Sequence, residues 1–276
     1  MKNKKKTKGR IWFYSVILIL FLSALWFFIP VTETVTLDLD KVEGASAKFA
    51  LITDLHCCYY GKDMKTLLKM IDKEKPDAVL LSGDIFDHQK RFENSKIFCE
   101  AIVKKYPCFY VIGNHEHWSD RQDEIKDYLR DIGVNVLEGD CKEITLNGIT
   151  FDICGIDDPD SLSDSAWKNQ LNRAYEACDD AHVSILLSHR PERTEDYETV
   201  GFDIIAAGHA HCGQFRVPFV NRGLFVPSQG VFAKYVNGAY DLSNGSKLVV
   251  SRGLARESTP LPRYFNHPEV LMIVVE

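Results

Sequence analysis

Short apolar runs punctuate most of this chain, and their spacing predicts its secondary structure. Five runs rich in Val, Ile and Leu have the length of strands buried on both faces, and they cover residues 49–53, 78–82, 108–112, 183–188 and 203–207. Helices are predicted after the first three strands, at residues 64–75, 93–105 and 121–132. Pro76 and Pro107 break the chain after the first two helices. Strands that alternate with helices in this way indicate βαβ units and a largely parallel sheet.

The pattern becomes richer in strands after residue 135. Strands are predicted at residues 134–137, 141–146 and 149–154, and Asn147-Gly148 marks a tight hairpin turn. A helix over residues 164–178 returns the chain to the strand at 183–188. In the last seventy residues, Asn237-Gly238 and Asn244-Gly245 are further turn signals. This half of the chain therefore predicts a second sheet packed on the first.

The amino-terminal segment has a different pattern, because residues 11–29 hold no charged side chain and only two serines. A helix of that length spans about 28 Å, enough to cross the apolar core of a bilayer. Six cations precede the segment and the next one is Lys41, so the positive-inside rule places the amino terminus in the cytoplasm. We expect a basic cytoplasmic tail (1–10), a transmembrane anchor (11–29), a polar tether (30–47) and one domain (48–276).

A cleaved signal peptide is the alternative interpretation of this segment. The apolar part of a signal peptide usually has 7–15 residues, fewer than here. Ala45-Ser46-Ala47 fits a cleavage site, but it lies well beyond the apolar run. The pattern therefore favours a single-pass protein of the cell membrane, with its domain on the outer face.

The charge and the cysteine spacing argue against a nucleic-acid-binding protein and against a zinc ribbon. Beyond the basic tail and the anchor, 27 cations face 39 acidic residues, a formal charge of −12. Such a surface does not suit nucleic-acid binding, which needs basic patches. The eight cysteines lack zinc-ribbon spacing, and we expect most of them to be free thiols, with Cys108 and Cys154 packed as small apolar side chains.

Each of the five predicted strands ends at residues that bind metals. The loops past strand carboxyl ends are where functional sites gather in α/β folds. Two Asp, one Asn and four His brought to one rim would form a cage for two divalent cations. The five motifs are Asp54-Leu-His56, Gly83-Asp84-Ile-Phe-Asp87, Gly113-Asn114-His115-Glu116, His189 and Gly208-His209-Ala-His211.

In this order, the five motifs resemble those of the calcineurin-like metallophosphoesterases, from about residue 48 to the carboxyl end. The resemblance implies a four-layer α/β/β/α sandwich of two mixed sheets and a site for two metal ions. It implies that one metal is held by Asp54, His56 and His211, and the other by Asn114, His189 and His209. Asp84 would bridge the two. This mixture of nitrogen and oxygen ligands favours Mn, Fe or Zn, alone or mixed, over a pure calcium or magnesium site.

The resemblance also implies the chemistry. A hydroxide shared by the two metals would attack phosphorus. His115 would protonate the leaving alkoxide or polarise the phosphate, and Asp87 would orient His115 and raise its pKa. His88 stands where the protein-phosphatase branch has an Arg, and Arg190 is a possible substitute, so both are candidate substrate contacts.

That departure argues against phosphoprotein as the substrate. Residues 188–192 and 208–214 are more similar to the membrane-associated bacterial branch. We expect a phosphoester hydrolase, more specifically a phosphodiesterase, that acts on lipid or envelope phosphates. Two alternatives stay open: a nucleotide phosphodiesterase or pyrophosphatase, and a membrane-anchored scaffold that binds metal without catalysis. His115 speaks against the scaffold, because a structural metal site has no use for a general acid.

Overall fold

The computed structural model describes residues 12–16, 18, 26–216, 222–226, 228–256 and 263–276, and it contains two six-stranded sheets. The first sheet has the order β1-β14-β2-β3-β4-β5. Its strands are β1 (Val31–Leu37), β2 (Ala47–Ile52), β3 (Ala78–Ser82), β4 (Cys108–Val111), β5 (Asn135–Val136) and β14 (Glu269–Val275). Only the pairing of β14 with β2 is antiparallel.

The second sheet has the order β12-β13-β9-β8-β7-β6. Its strands are β6 (Asp140–Leu146), β7 (Ile149–Gly155), β8 (Val183–Leu187), β9 (Ile204–Ala207), β12 (Gly238–Asp241) and β13 (Lys247–Val250). The outermost pairings on both sides are antiparallel and the inner ones are parallel. The prediction of two mixed sheets is confirmed. A separate antiparallel hairpin consists of β10 (Gly223–Val226) and β11 (Gly230–Ala233).

The four longer helices lie within three residues of their predicted bounds. They are α1 (Lys65–Glu74), α2 (Glu93–Ile102), α4 (Gln122–Asp131) and α5 (Asp164–Glu176). Two short helices, α3 (Asn114–Trp118) and α6 (Thr194–Tyr197), were not predicted. Helices of one turn carry too few residues for a periodic pattern to be seen.

Alternate strand residues define three apolar layers. In β2, Leu51 faces the second sheet whereas Ile52 faces α1, α2 and α4, and both are fully buried. In β8, Leu187 faces the first sheet whereas Leu186 packs against Trp167 of α5. The order is therefore helices, sheet, sheet, helices, which explains why the predicted strands are apolar on both faces.

The amino-terminal part of the sheet differs from the prediction. Seven residues of the predicted tether form β1, and all seven pair in parallel with β14. Arg252, which follows β13, donates from Nε to Oε2 of Glu269 at 2.7 Å and also pairs with Glu33 of β1. The alternating Thr and Val of β1 suit a half-buried edge strand, and on their own they looked like a polar linker.

Among the described residues, no helix combines the length and apolar character that crossing a membrane requires. All of the predicted basic tail and nine of the nineteen residues of the predicted anchor, 11, 17 and 19–25, lie outside those residues.

Two cysteines are bonded and six are free. Cys141 of β6 and Cys154 of β7 form a disulfide, because the register of the two strands sets them opposite each other. The expectation of a free thiol at Cys154 was therefore wrong, and Cys108 is free and buried as expected.

Candidate functional site

The predicted ligands lie at one rim, where strand ends from both sheets meet. Asp54 follows β2, Asp84 follows β3 and Asn114 opens α3 after β4. From the second sheet, His189 follows β8 and His209 follows β9. Because these strands are neighbours and mostly parallel, their carboxyl ends bring the side chains together.

Five of the seven predicted metal ligands have a strained backbone conformation. Asp54, His56, Asp84, His209 and His211 all have positive φ, between 46° and 64°. Residues with a Cβ rarely adopt this region, at a cost of about 1–3 kcal/mol each, and such residues cluster at functional sites.

The first group of side chains surrounds Asp54. Its Oδ1 lies 3.3 Å from Nε2 of His211 and 3.9 Å from Nε2 of His56. The second group surrounds Asp84, whose Oδ2 lies 3.1 Å from Nε2 of His189. The rings of His189 and His209 are 5.1 Å apart. The same oxygen of Asp84 is 3.6 Å from His56 Nε2, so Asp84 touches both groups.

Three predicted ligand atoms show that these residues fit divalent cations. Nε2 of His56, Nε2 of His189 and Oδ1 of Asn114 are buried and have no hydrogen-bond partner. His189 donates from Nδ1 to the carbonyl oxygen of Ser82 at 2.8 Å, which leaves the Nε2 lone pair for another partner. Buried polar atoms are almost always paired, because an unpaired one costs about 1–3 kcal/mol. A bound divalent cation would provide the missing partner for these three atoms.

The charges of the site also favour a cation. Burial by itself would lower the pKa of His189, but Asp84 and Asp54 outweigh it and raise the pKa to about 10, so these carboxylates stabilise a positive charge at Nε2, where a metal ion would replace a proton. Burial raises the pKa of Asp54. Burial and nearby positive charge hold the pKa values of His209 and His211 well below the usual range, so both imidazoles are neutral, as metal binding requires.

His115 lies at the rim beside the two groups. Its Nδ1 is 3.3 Å from Oδ2 of Asp87, and the same oxygen is 2.9 Å from Nδ1 of His56. Burial would lower the pKa of His115, but the hydrogen bond to Asp87 and the charge of Asp84 raise it. A raised pKa suits a general acid.

The two candidate substrate contacts have different surroundings. His88 is partly exposed, and its Nδ1 lies 3.1 Å from Nδ1 of His115. Arg190 is buried and donates from Nε and Nη2 to Asp158, at 2.7 and 3.0 Å, and from Nη2 to Asp160 at 2.8 Å. Its Nη1 lies 3.2 Å from Nε2 of His209. The two aspartates hold the guanidinium of Arg190 beside His209, and its role as a substrate contact stays a prediction.

Glu116 has a structural role that the sequence left undecided between loop support and solvation. Its carboxylate is fully buried and accepts from the backbone N–H groups of Asp84, Gly113 and Phe86 at 2.8–2.9 Å. Burial and the charge of Asp84 raise the pKa of Glu116 to about 7. It joins the loop after β3 to the loop after β4, and so fixes the positions of two predicted ligands.

Sequence reasoning missed three further residues at the site. Trp118 is exposed and its ring lies 5.0 Å from that of His115, a contact that the three-residue spacing of the two on a helix could have indicated. Asn266 donates to the carbonyl oxygen of His211 at 2.7 Å, and buried Arg263 has Nη2 3.5 Å from Nδ1 of His211. No motif marks Arg263 or Asn266, which lie more than fifty residues beyond the histidine they support.

Comparison with known proteins relates the chain to phosphoesterases. The family model of the calcineurin-like phosphoesterases matches residues 47–213, more than half of the chain. A metallophosphoesterase of Campylobacter jejuni is 28% identical over 251 residues, which cover 88% of this chain and 63% of that protein. The phosphodiesterase YaeI of Escherichia coli is 27% identical over 204 residues, 72% of each chain.

A third relative is named as a transmembrane protein. A Bos taurus protein described as a transmembrane protein with a metallophosphoesterase domain is 23% identical over 262 residues, which cover 90% of this chain and 57% of that protein. This chain therefore spans less than two thirds of the Campylobacter and Bos taurus proteins.

Proposed function

The chain belongs to the calcineurin-like phosphoesterase family, and from this premise we propose that it is a metal-dependent phosphodiesterase with a dinuclear centre. The observation that carries the proposal is the set of unpaired ligand atoms on His56, His189 and Asn114, arranged around two buried carboxylates. The name of the Escherichia coli relative, a phosphodiesterase, supports the diester part of the proposal.

In this proposal, Asp54, His56 and His211 hold one cation, and Asn114, His189 and His209 hold the other, with Asp84 between them. Two bound divalent cations would supply the Lewis acidity that activates water and neutralises the phosphate oxygens. Asp87 and Glu116 keep the ligands oriented, Asp87 through His56 and Glu116 through the backbone on either side of Asp84.

The proton for the leaving group comes from His115 in this proposal. Its ring lies 4.3 Å from that of His56, so it borders the predicted metal ligands, and its raised pKa favours the protonated form. Asp87 accepts the hydrogen bond from Nδ1, which leaves Nε2 of His115 as the nitrogen that can give its proton to a departing alkoxide.

We also propose that the domain is held at the outer face of the cell membrane by residues 11–29 and acts on lipid or envelope phosphates. The uncharged run, the cations before it and the transmembrane relative support this location. The negative formal charge of the domain supports a substrate other than nucleic acid.

The first test uses the full chain in detergent, stripped with chelator, reloaded with manganese and assayed on bis-p-nitrophenyl phosphate. We expect hydrolysis that returns with manganese and that Asp84→Asn abolishes. Asp123→Asn, an exposed carboxylate on α4, is the matched control and should leave the rate unchanged. Manganese that binds to the wild type without hydrolysis of this or any alkyl diester would favour the non-catalytic scaffold instead.

A further inference from the structure

A cluster of exposed apolar side chains lies on the hairpin β10–β11 and beside it. Phe225 and Val231 are register partners on the two strands, and they are 54% and 63% exposed. Their neighbours Leu224 and Phe232 are exposed as well, so both faces of the ribbon present large apolar groups. An isolated two-stranded ribbon is marginal in water, and a contiguous apolar patch marks a contact surface.

The patch continues from the hairpin into the carboxyl-terminal loop. The backbone N–H of Leu224 donates to the carbonyl oxygen of Phe215 at 2.9 Å. The ring of Phe215 stacks on Tyr264 with centroids 5.8 Å apart, and it lies 6.3 Å from the ring of Phe265. Phe215 and Phe265 are exposed. We call the side chains of Phe215, Leu224, Phe225, Val231, Phe232 and Phe265 the aromatic surface.

The end of the predicted anchor lies against this surface. The ring of Phe27 is 5.1 Å from Phe265 and 5.7 Å from Tyr264. His267 contacts the same segment, with Nδ1 2.9 Å from the carbonyl oxygen of Ile29, and β1 begins at Val31. Among the described residues, only three lie between Phe27 and the first residue of β1. A membrane that bound the anchor would therefore lie close to the aromatic surface.

The aromatic surface is also joined to the site. Two buried residues of the hairpin, Val226 and Ala233, pack in one cluster with Ala210 and Cys212, which flank His211. The approach is close, because a Cβ on Gly213 would lie 2.9 Å from the carbonyl oxygen of Phe225. The turn that carries a predicted metal ligand therefore rests directly on the hairpin.

We propose that the aromatic surface inserts into the headgroup region of a lipid bilayer and holds the rim of the site against it, so that the substrate is a phosphodiester carried by a membrane lipid. The insertion into a bilayer is inferred from the aromatic surface alone, whereas the lipid substrate also rests on the proposed function. Arg222, which donates to the carbonyl oxygen of Phe232 at 3.0 Å, and Lys234 are exposed cations on the ribbon of an otherwise acidic domain. Aromatic groups with cations beside them are the composition that binds the interface of anionic membranes.

A bilayer fits this surface better than a second copy of the chain. The predicted anchor ends at the surface, and a membrane-spanning helix that ends there brings the lipid headgroups to within a few side chains of Phe265. A second copy would have to cover the same side chains in competition with the lipid that such an anchor would bring to them.

Docking is tested with the full chain in nanodiscs of equal parts phosphatidylcholine and phosphatidylglycerol. The photoreactive residue p-benzoylphenylalanine replaces Phe225 or Phe232, and it replaces Tyr175, an exposed aromatic residue of α5 in the helical layer, as the control. After irradiation, mass spectrometry should find lipid adducts at positions 225 and 232 and none at 175. Cross-links between two copies of the chain at these positions, or no lipid adduct at either of them, would overturn the inference.

The substrate part is tested with the double variant Phe225→Ser/Phe232→Ser. We expect it to hydrolyse phosphatidylglycerol in vesicles about a hundredfold more slowly than the wild type, since each of the two lost aromatic contacts removes about one factor of ten. Its rate on bis-p-nitrophenyl phosphate in solution should be unchanged, which also shows that it is folded. A wild type that cleaves the soluble diester but no lipid diester overturns only the lipid assignment, whereas one that cleaves neither overturns the proposed function.

Discussion

At the scale of single residues, Oδ2 of Asp87 serves two imidazoles. It lies 2.9 Å from Nδ1 of His56 and 3.3 Å from Nδ1 of His115. Burial would raise the pKa of Asp87, but these two hydrogen bonds hold it well below the usual range. The carboxylate therefore stays ionised and orients a predicted metal ligand and the predicted acid together.

Replacing His115 should matter more for poor leaving groups than for good ones. Nitrophenolate leaves without a proton, whereas an alkoxide needs one, so a general acid contributes mainly to alkyl esters. We expect His115→Asn to slow hydrolysis of an alkyl diester by about 10²–10⁴-fold and that of bis-p-nitrophenyl phosphate by much less. The control is His117→Asn, two residues further along α3, where the imidazole contacts Gln122 rather than the site. Equal losses on both substrates would assign His115 to binding and not to proton transfer.

Glu116 should be important for stability as well as for metal binding. Glu116→Gln replaces one carboxylate oxygen by an NH₂ group that faces backbone N–H donors, so at least one buried hydrogen bond is lost. We expect a loss of about 1–3 kcal/mol in the free energy of unfolding and weaker manganese binding. Urea unfolding and metal titration measure the two effects. Glu124→Gln, on the exposed face of α4, should change stability by less than about 0.5 kcal/mol.

At the scale of elements, the loops after the strands approach each other so closely that glycine is required. A Cβ at Gly113 would lie 2.3 Å from Oδ1 of Asp84, and one at Gly208 would lie 1.9 Å from Oγ1 of Thr53. These loops come from different strands, and one of them from the other sheet. Glycine at these positions therefore sets the distance between predicted ligands.

Gly113→Ala should displace Asp84 and lower activity while leaving most of the fold intact. We expect metal-dependent hydrolysis to fall by at least tenfold, since a shift of about 1 Å at a catalytic centre costs as much or more. Gly201→Ala is the matched control, because its Cβ would meet only the hydroxyl end of Tyr175, which can move away. Full activity of Gly113→Ala with unchanged manganese affinity would contradict this account of the loop.

A pH effect on stability should arise where α4 joins the two sheets. Nζ of Lys126 lies 2.7 Å from Glu138, which follows β5, and 2.8 Å from Asp157, which follows β7. Burial would raise the pKa of Glu138, but the hydrogen bond from Lys126 and nearby positive charge lower it. A depressed pKa stabilises the fold above the unfolded value of about 4.3 and ceases to do so as pH falls through the folded value.

The wild type should accordingly be more stable than Glu138→Gln at pH 7, and the difference should disappear as the pH is lowered below about 4. Urea unfolding of both proteins between pH 3 and pH 7 measures it. A difference that stays constant over this range would show that the carboxylate stabilises the fold by packing and not by its charge.

The sequence predicted those secondary-structure elements that have a local hydrophobic pattern. It missed elements whose stability depends on residues far away in the chain. The central strands were found because they are apolar on both faces and end at metal-binding residues, and the site residues followed from them. Strand β1 was missed because its stability depends on β14, more than 230 residues away. The restraint of Arg190 by Asp158 and Asp160 depends likewise on a loop that no local pattern places beside it.

At the scale of the whole molecule, the site concentrates negative charge where both sheets end. Asp54 and Asp84 are fully buried carboxylates in a domain that already carries a formal charge of −12 beyond its amino-terminal segment. Bound cations would offset this charge, so metal binding and folding should be coupled.

Manganese should therefore raise the thermal midpoint of unfolding, and chelator should lower it. At a hundredfold excess over the dissociation constant, one bound ion stabilises the fold by about 2.7 kcal/mol, which corresponds to several degrees in a domain of this size. Differential scanning fluorimetry at several manganese concentrations measures the shift. The shift should be largely lost in Asp84→Asn, and an equal shift in that variant would place the bound metal elsewhere.

The position of β14 has a consequence for how the chain is made. Strand β14 is synthesised long after β1 and β2 but lies between them in the first sheet, so neither neighbour can complete its pairing until β14 emerges. At about 5–20 residues per second, the interval between β1 and β14 lasts roughly 10–50 s. During that time two strand edges stay open to wrong partners. We therefore expect a nascent chain of this protein to need protection until β14 emerges, and a variant truncated before Glu269 to need it permanently.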